Sequence, residues 1–154
     1  MKKVLIIVVT LVTIYSCGSI KSTTFPAADF SSEKVIENLN QPQTKLFVSA
    51  NDWMVDTFND AESVIQFTDK EEGTVIGKYL LQGKLFMTAY SQLDSRIYAK
   101  ITIQLKDNRA KIKVIPTTAI TIYRNEEILA IKGKINNLIS NFETSIKNSN
   151  SNNW

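Results

Sequence analysis

The chain has no histidine among its 154 residues. That absence removes Ser-His-Asp triads, Cys-His nucleophiles and histidine-bound zinc or iron sites. Cysteine is nearly missing as well: Cys17 stands alone, so no intramolecular disulfide can form. Long apolar runs are lacking too, since the stretch at residues 4–12 falls short of the roughly 20 apolar residues that span a bilayer. Catalysis is left with carboxylate, lysine and tyrosine chemistry. A metal is left with oxygen ligands, as calcium or magnesium takes. No cofactor and no metal site is expected. Net charge is also small. The formal balance is +3, from 18 basic and 15 acidic residues, and without Lys2 and Lys3 it is 16 against 15, or +1.

What is present begins at the N-terminus. Lys2 and Lys3 precede the apolar stretch, and Ile14-Tyr15-Ser16-Cys17 closes it. A positive start, an apolar core and a small residue before the cut mark a secretory signal. Ile14 and Ser16 fit a bacterial lipoprotein signal, while Tyr15 is bulkier than the usual Ala or Ser. The competing readings are a transmembrane anchor, which the length argues against, and ordinary cleavage that leaves Cys17 a free thiol. On the lipoprotein reading Cys17 carries a glyceride thioether and an acylated amine. Each buried methylene then adds about 0.8 kcal/mol to membrane anchoring. Gly18-Ser19 has no Asp, and no acidic cluster follows the cysteine. The expected location is the outer membrane, on its periplasmic face. The expected division is a signal peptide at 1–16, a lipidated terminus and flexible tether at 17–31, one α+β domain at 32–147 and a disordered tail at 148–154.

Within the domain, residues 33–39 are too few for periodicity to decide between strand and helical turn. Residues 44–59 read as a helix, with Leu46, Ala50, Trp53, Met54 and Phe58 on one face and Thr44 as its N-cap. Asp52, Asp56 and Asp60 line the other face. A carboxylate row at that spacing resembles a cation site, but no Asp-rich loop with a central glycine accompanies it, and a solvated helix face explains it. Residues 64–68 form a short strand and residues 69–73 a polar turn. From 74 to 90 apolar and polar residues alternate with the period of a half-buried strand, with glycines where it can bend. The clearest hairpin spans 96–115. An Asp107-Asn108 turn would pair Leu105 with Ala110, Ile103 with Ile112 and Ile101 with Val114, so turn and pattern agree on the register. Pro116 ends that strand or places it at an edge. Residues 119–123 make a last strand. Residues 126–147 make a second helix, whose stripe of Ile128, Ile131, Ile135, Leu138, Phe142 and Ile146 is widened by Leu129 and Ile139. The fold class is α+β: a two-layer domain with an antiparallel sheet of four to five strands and two helices on one face.

The other face of that sheet is open. On the expected register Lys106 lies opposite Arg109, Gln104 opposite Lys111, and Thr102 opposite Lys113. Lys78, Lys84, Arg96, Tyr98 and Lys100 point the same way, with Phe86 among them, and no carboxylate is expected there. Like charges directly opposite one another are mildly destabilising. An anionic partner would account for them; so would the use of strand lysines to keep a sheet soluble.

The chain resembles a bacterial lipoprotein domain family of unknown function with a TATA-binding-protein-like fold. Trp53, Phe58, Val64-Ile65-Gln66, Asp69-Lys70-Glu71, Gly73, Ile76-Gly77-Lys78 and the Lys106-Asp107-Asn108-Arg109 turn carry the resemblance, over roughly residues 33–147. Tyr79 departs from the small residue expected after Lys78. The resemblance implies the order β-α-β-β-β-β-α, with residues 33–39 as a strand. It brings no activity and no site residues. The expected role is a membrane-anchored, non-enzymatic binding or scaffolding module of the envelope. Its partners would be the membrane, through the lipid on Cys17, and an anionic envelope component or another exported protein. The export signal argues against nucleic acid. Alternatives are an inhibitor or immunity-type partner of an exported protein, and a carboxylate-based hydrolase using Asp69, Glu71 and Glu72.

Overall fold

The computed structural model describes residues 22–58, 64–83, 85–87 and 92–149. In chain order they form β1 (Thr23–Phe25), a 3₁₀ turn (Ala27–Phe30), β2 (Ser32–Ile36), α1 (Gln43–Thr57), β3 (Val64–Asp69) and β4 (Thr74–Gln82). There follow β5 (Leu85–Met87), β6 (Gln92–Asp94), β7 (Ile97–Lys106), β8 (Arg109–Pro116), β9 (Ile120–Ile122) and α2 (Asn125–Asn148). The main sheet is antiparallel and five-stranded, in the order β2-β8-β7-β4-β3.

The β7–β8 hairpin is its centre and has the register expected from the sequence, with Leu105 opposite Ala110, Ile103 opposite Ile112 and Ile101 opposite Val114. These six residues are at or below 1% exposure. Burying each of the Leu, Ile and Val side chains among them contributes about 1.5–3 kcal/mol. Leu46, Ala50, Trp53 and Met54 of α1 cover this face, with Ile131, Ile135, Leu138, Phe142 and Ile146 of α2 beside them. Trp53 and Phe142 join the helices edge to face, with ring centroids 5.0 Å apart.

The turn is also an anchor for other elements. Asn108 takes a positive φ of 67°, a conformation that Asn tolerates better than most residues. Its Oδ1 accepts from the Asn40 amide and its own amide donates to the Gln41 carbonyl. Asp107 Oδ1 accepts from the Gln43 amide at 2.8 Å. The cap of α1 therefore comes from a distant hairpin and not from Thr44, which lies inside the helix behind Pro42.

Several elements differ from the sequence expectation. The segment expected to be a tether is built into the domain from Thr23 on. β1 pairs with β9, Phe30 is 3% exposed, and Phe25 meets Phe30 edge to face at 6.1 Å. Two phenylalanines embedded in a Ser/Thr/Ala-rich stretch supply that anchorage. Residues 119–123 give a strand, as expected, but it joins β1 in a separate two-stranded sheet. The alternation at 74–90 is not one strand. β4 ends at Gln82, Gly83 turns at φ 99°, and β5 pairs with β6 apart from the main sheet. Gly77 has a packing reason: a Cβ there would lie 2.4 Å from the Phe58 ring. Leu129 does not widen the α2 stripe, since it is 75% exposed, one residue off the buried row. α2 continues to Asn148, into the expected tail, and residues 150–154 lie outside the described residues. Pro116 closes β8 beyond Val114, the last residue paired with β2, where its missing N–H interrupts no ladder on that side.

Candidate functional site on the open sheet face

Side chains that alternate with the core residues form the open face. On β7 these are Tyr98, Lys100, Thr102, Gln104 and Lys106; on β8, Arg109, Lys111 and Lys113; on β4, Lys78. Lys106 faces Arg109, Gln104 faces Lys111, Thr102 faces Lys113 and Lys78 faces Lys100. Lys84 and Cys17 lie outside the described residues, and nothing is described of the Phe86 side chain.

The face divides in two. At one end Tyr98 gathers cations. Lys78 Nζ lies 3.7 Å from its ring centroid and Arg96 Cζ 5.8 Å. The negative face of the ring offsets part of the repulsion between them. At the hairpin end lies a groove of about 390 Å³, lined by Val35, Glu72, Thr74, Gln104, Lys106, Arg109 and Lys111. The guanidinium can fork two N–H groups onto a carboxylate, sulfate or phosphate, and the ammonium groups add mobile point charges. Lys106 and Arg109 have no ion pair among the described residues.

The expectation of a face without carboxylates is corrected. β2 pairs with β8 and lays Glu33 opposite Lys113. Its Oε2 is 3.7 Å from Lys113 Nζ and 3.5 Å from Lys111 Nζ. Such exposed pairs are worth about 0–1 kcal/mol, so an incoming anion can compete for Lys111. Local spacing does not place Val35 and Glu33 on this face, because residues 33–39 have no assigned partner strand until β2 lies beside β8. Glu72 lies within the β3–β4 turn and Thr74 follows it, and their place in the groove depends on that turn folding over Leu105, whose amide donates to the Gly73 carbonyl.

Of the acidic candidates, Glu72 lines the groove. Asp69 Oδ1 accepts from the Glu71 and Glu72 amides, both at 3.0 Å, and so holds the β3–β4 turn. Asp52 and Asp56 are exposed on α1, and Asp60 lies outside the described residues. Among the described residues no group of three His, Cys, Asp or Glu is placed to hold a metal. Glu143 of α2 has a displaced pKa. Hydrogen bonds from Lys147 and Lys34 hold its carboxyl below the usual value, against a smaller opposing effect of burial. It lies on the helix side and ties edge strand β2 to α2.

A family model described as a domain of unknown function, DUF4468, with a TBP-like fold matches residues 33–116, from the start of β2 to the end of β8. A crystal structure of a DUF4468 family protein from Bacteroides ovatus is 12% identical and superposes with a TM-score of 0.53 over 75% of this chain and 85% of its own. A TBP-like protein from Parabacteroides distasonis is 14% identical, with a TM-score of 0.53 over 80% of this chain and 94% of its own. At such identities these likenesses concern the fold. No functionally curated protein matches the chain.

Proposed function

Starting from the fact that the chain belongs to the DUF4468 family of TBP-like domains, we propose that it is a non-enzymatic binding module of the cell envelope. In this reading it is anchored to the outer membrane by a lipid on Cys17, and its groove takes an anionic group of a glycan or protein of that compartment. The single observation that carries the binding role is the convergence of Lys106, Arg109 and Lys111 on one groove of an open sheet. Lys106 and Arg109 have no ion pair among the described residues, so an anion entering the groove displaces no carboxylate from them. Gln104 and Thr74 add hydrogen-bonding groups, and Val35, 50% exposed, offers an apolar flank. A chain without histidine, whose Asp69 is occupied in a turn, supports binding over catalysis.

The test is titration calorimetry of the mature protein with a sulfated polysaccharide, against the triple variant Lys106→Glu, Arg109→Glu, Lys111→Glu. Affinity should fall at least tenfold, and the wild-type affinity should weaken as salt screens the charges. Reversal of Lys45, exposed on α1, should leave binding unchanged. Equal affinity of the triple variant and the wild type would overturn the groove as the site.

A further inference from the structure

The N-terminal segment fixes a length that the sequence leaves open. Four residues, 18–21, separate Cys17 from Ser22, and Thr23 is already paired with Ile122. Fully extended, those five steps reach at most about 18 Å. A lipid on Cys17 would therefore hold the β1–β9 end of the domain within that distance of the bilayer.

That end differs from the rest of the surface. Tyr123, next to the Ile122 that pairs with Thr23, is 59% exposed. Leu129, about one turn into α2, is 75% exposed, more than any other large exposed hydrophobic residue described. Arg124 and Lys132 flank them, and both are exposed. The acids there are Glu126 and Asp29, both exposed, Asp29 beside Lys132, and Glu127, whose carboxylate accepts from the Tyr123 amide and from Arg124 Nε. An exposed Tyr and Leu with Arg and Lys alongside suit a headgroup interface. The ring sits among headgroups, the leucine reaches the acyl boundary and the cations snorkel to phosphates.

The opposite end carries the groove. α2 has 24 residues, so it runs about 36 Å. It starts just after β9. It ends at Asn148 and is capped by Ser149, whose hydroxyl accepts from Gln41, the residue whose carbonyl takes the Asn108 amide of the hairpin turn. The groove residues Lys106 and Arg109 bracket that turn. The body is thus about twice as long as the tether.

We propose that the β1–β9 end, with Tyr123, Arg124, Leu129 and Lys132, rests on the bilayer that holds Cys17, and that the Lys106–Arg109–Lys111 groove faces away from that membrane. The ligand of the groove then comes from the aqueous compartment or the structure across it, not from the headgroups of the anchoring leaflet. This inference rests on lipid attachment at Cys17.

The experiment uses the full mature lipoprotein in vesicles of phosphatidylethanolamine and phosphatidylglycerol, with a nitroxide on Leu129→Cys or on Lys106→Cys. The glyceride thioether occupies the Cys17 sulfur, which leaves one free thiol in each variant. Collision with a water-soluble nickel chelate should drop several-fold for the label at 129 on reconstitution, while collision with oxygen rises. The label at 106 should stay as accessible to nickel as before. Equal nickel access at both positions, or shielding at 106 instead, would overturn the orientation while leaving the lipid anchor intact. The intact mass separates the two: a protein without the lipid mass on Cys17 removes the anchor, and the orientation with it.

Discussion

The two faces of the five-stranded sheet are made by one alternating pattern and obey different physics. Ile103 and Ile112 face each other on the helix side with no exposure. Thr102 and Lys113, one residue away on each strand, face each other on the open side. On the inner face the constraint is volume, because close packing penalises a lost methylene. On the outer face the constraint is charge, in water, where single contacts are worth little. The difference teaches where information about function resides. The inner face explains why the domain folds, and only the outer face has residues whose choice folding leaves undetermined.

The largest expected effect tests that division directly. Ile103→Ala should cost about 2–5 kcal/mol, read as a lower urea midpoint with an unchanged slope. Thr102→Ala, its neighbour on the open side, should cost about 1 kcal/mol or less. Equal losses would break the comparison. A smaller effect sharpens it at the turn joining the two strands. Asp107→Ala should cost about 1 kcal/mol by freeing the Gln43 amide at the start of α1. Thr44→Ala should change stability much less, and the reverse order would return the cap to Thr44.

The smallest effect concerns pH, and it belongs to the helix side alone. Glu143 has its folded pKa lowered by Lys147 and Lys34. Its contribution is therefore complete above the ordinary carboxylate range of about 4–5. It is lost as acid carries the pH down through the lower folded value. Stability curves of wild type and Glu143→Gln should be separated at pH 7 and converge in acid. Parallel curves across that range would remove this residue from the acid response.

Part of this architecture is legible in the amino-acid sequence. The β7–β8 register is, because a two-residue turn and an alternating pattern independently demand the same pairs. Both helices are, because Leu46, Ala50, Trp53 and Met54, and Ile131 through Ile146, repeat at helical spacing over several turns. The groove is legible only in half. Lys106, Arg109 and Lys111 follow from the hairpin register, while Glu33 and Val35 require the pairing of β2 with β8 across more than 70 residues of chain. The fate of residues 23–30 is hidden for the same reason. A three-residue strand has no period of its own, and β1 exists through β9, a hundred residues away. Gly77 reads as a possible bend, yet its role is to make room for Phe58.

By itself the sequence determined the helices, the central hairpin with its register, the cationic character of one strand face and the chemistry that a lack of histidine excludes. These are properties of local spacing and composition, which a chain carries wherever it goes. Tertiary structure alone decided that Glu33 sits among the lysines, that Asp107 caps a helix from afar, and that residues 23–30 are built into the domain. Each of those depends on which distant strands meet, and the free energy of that choice comes from the buried face as a whole, not from the residues being placed.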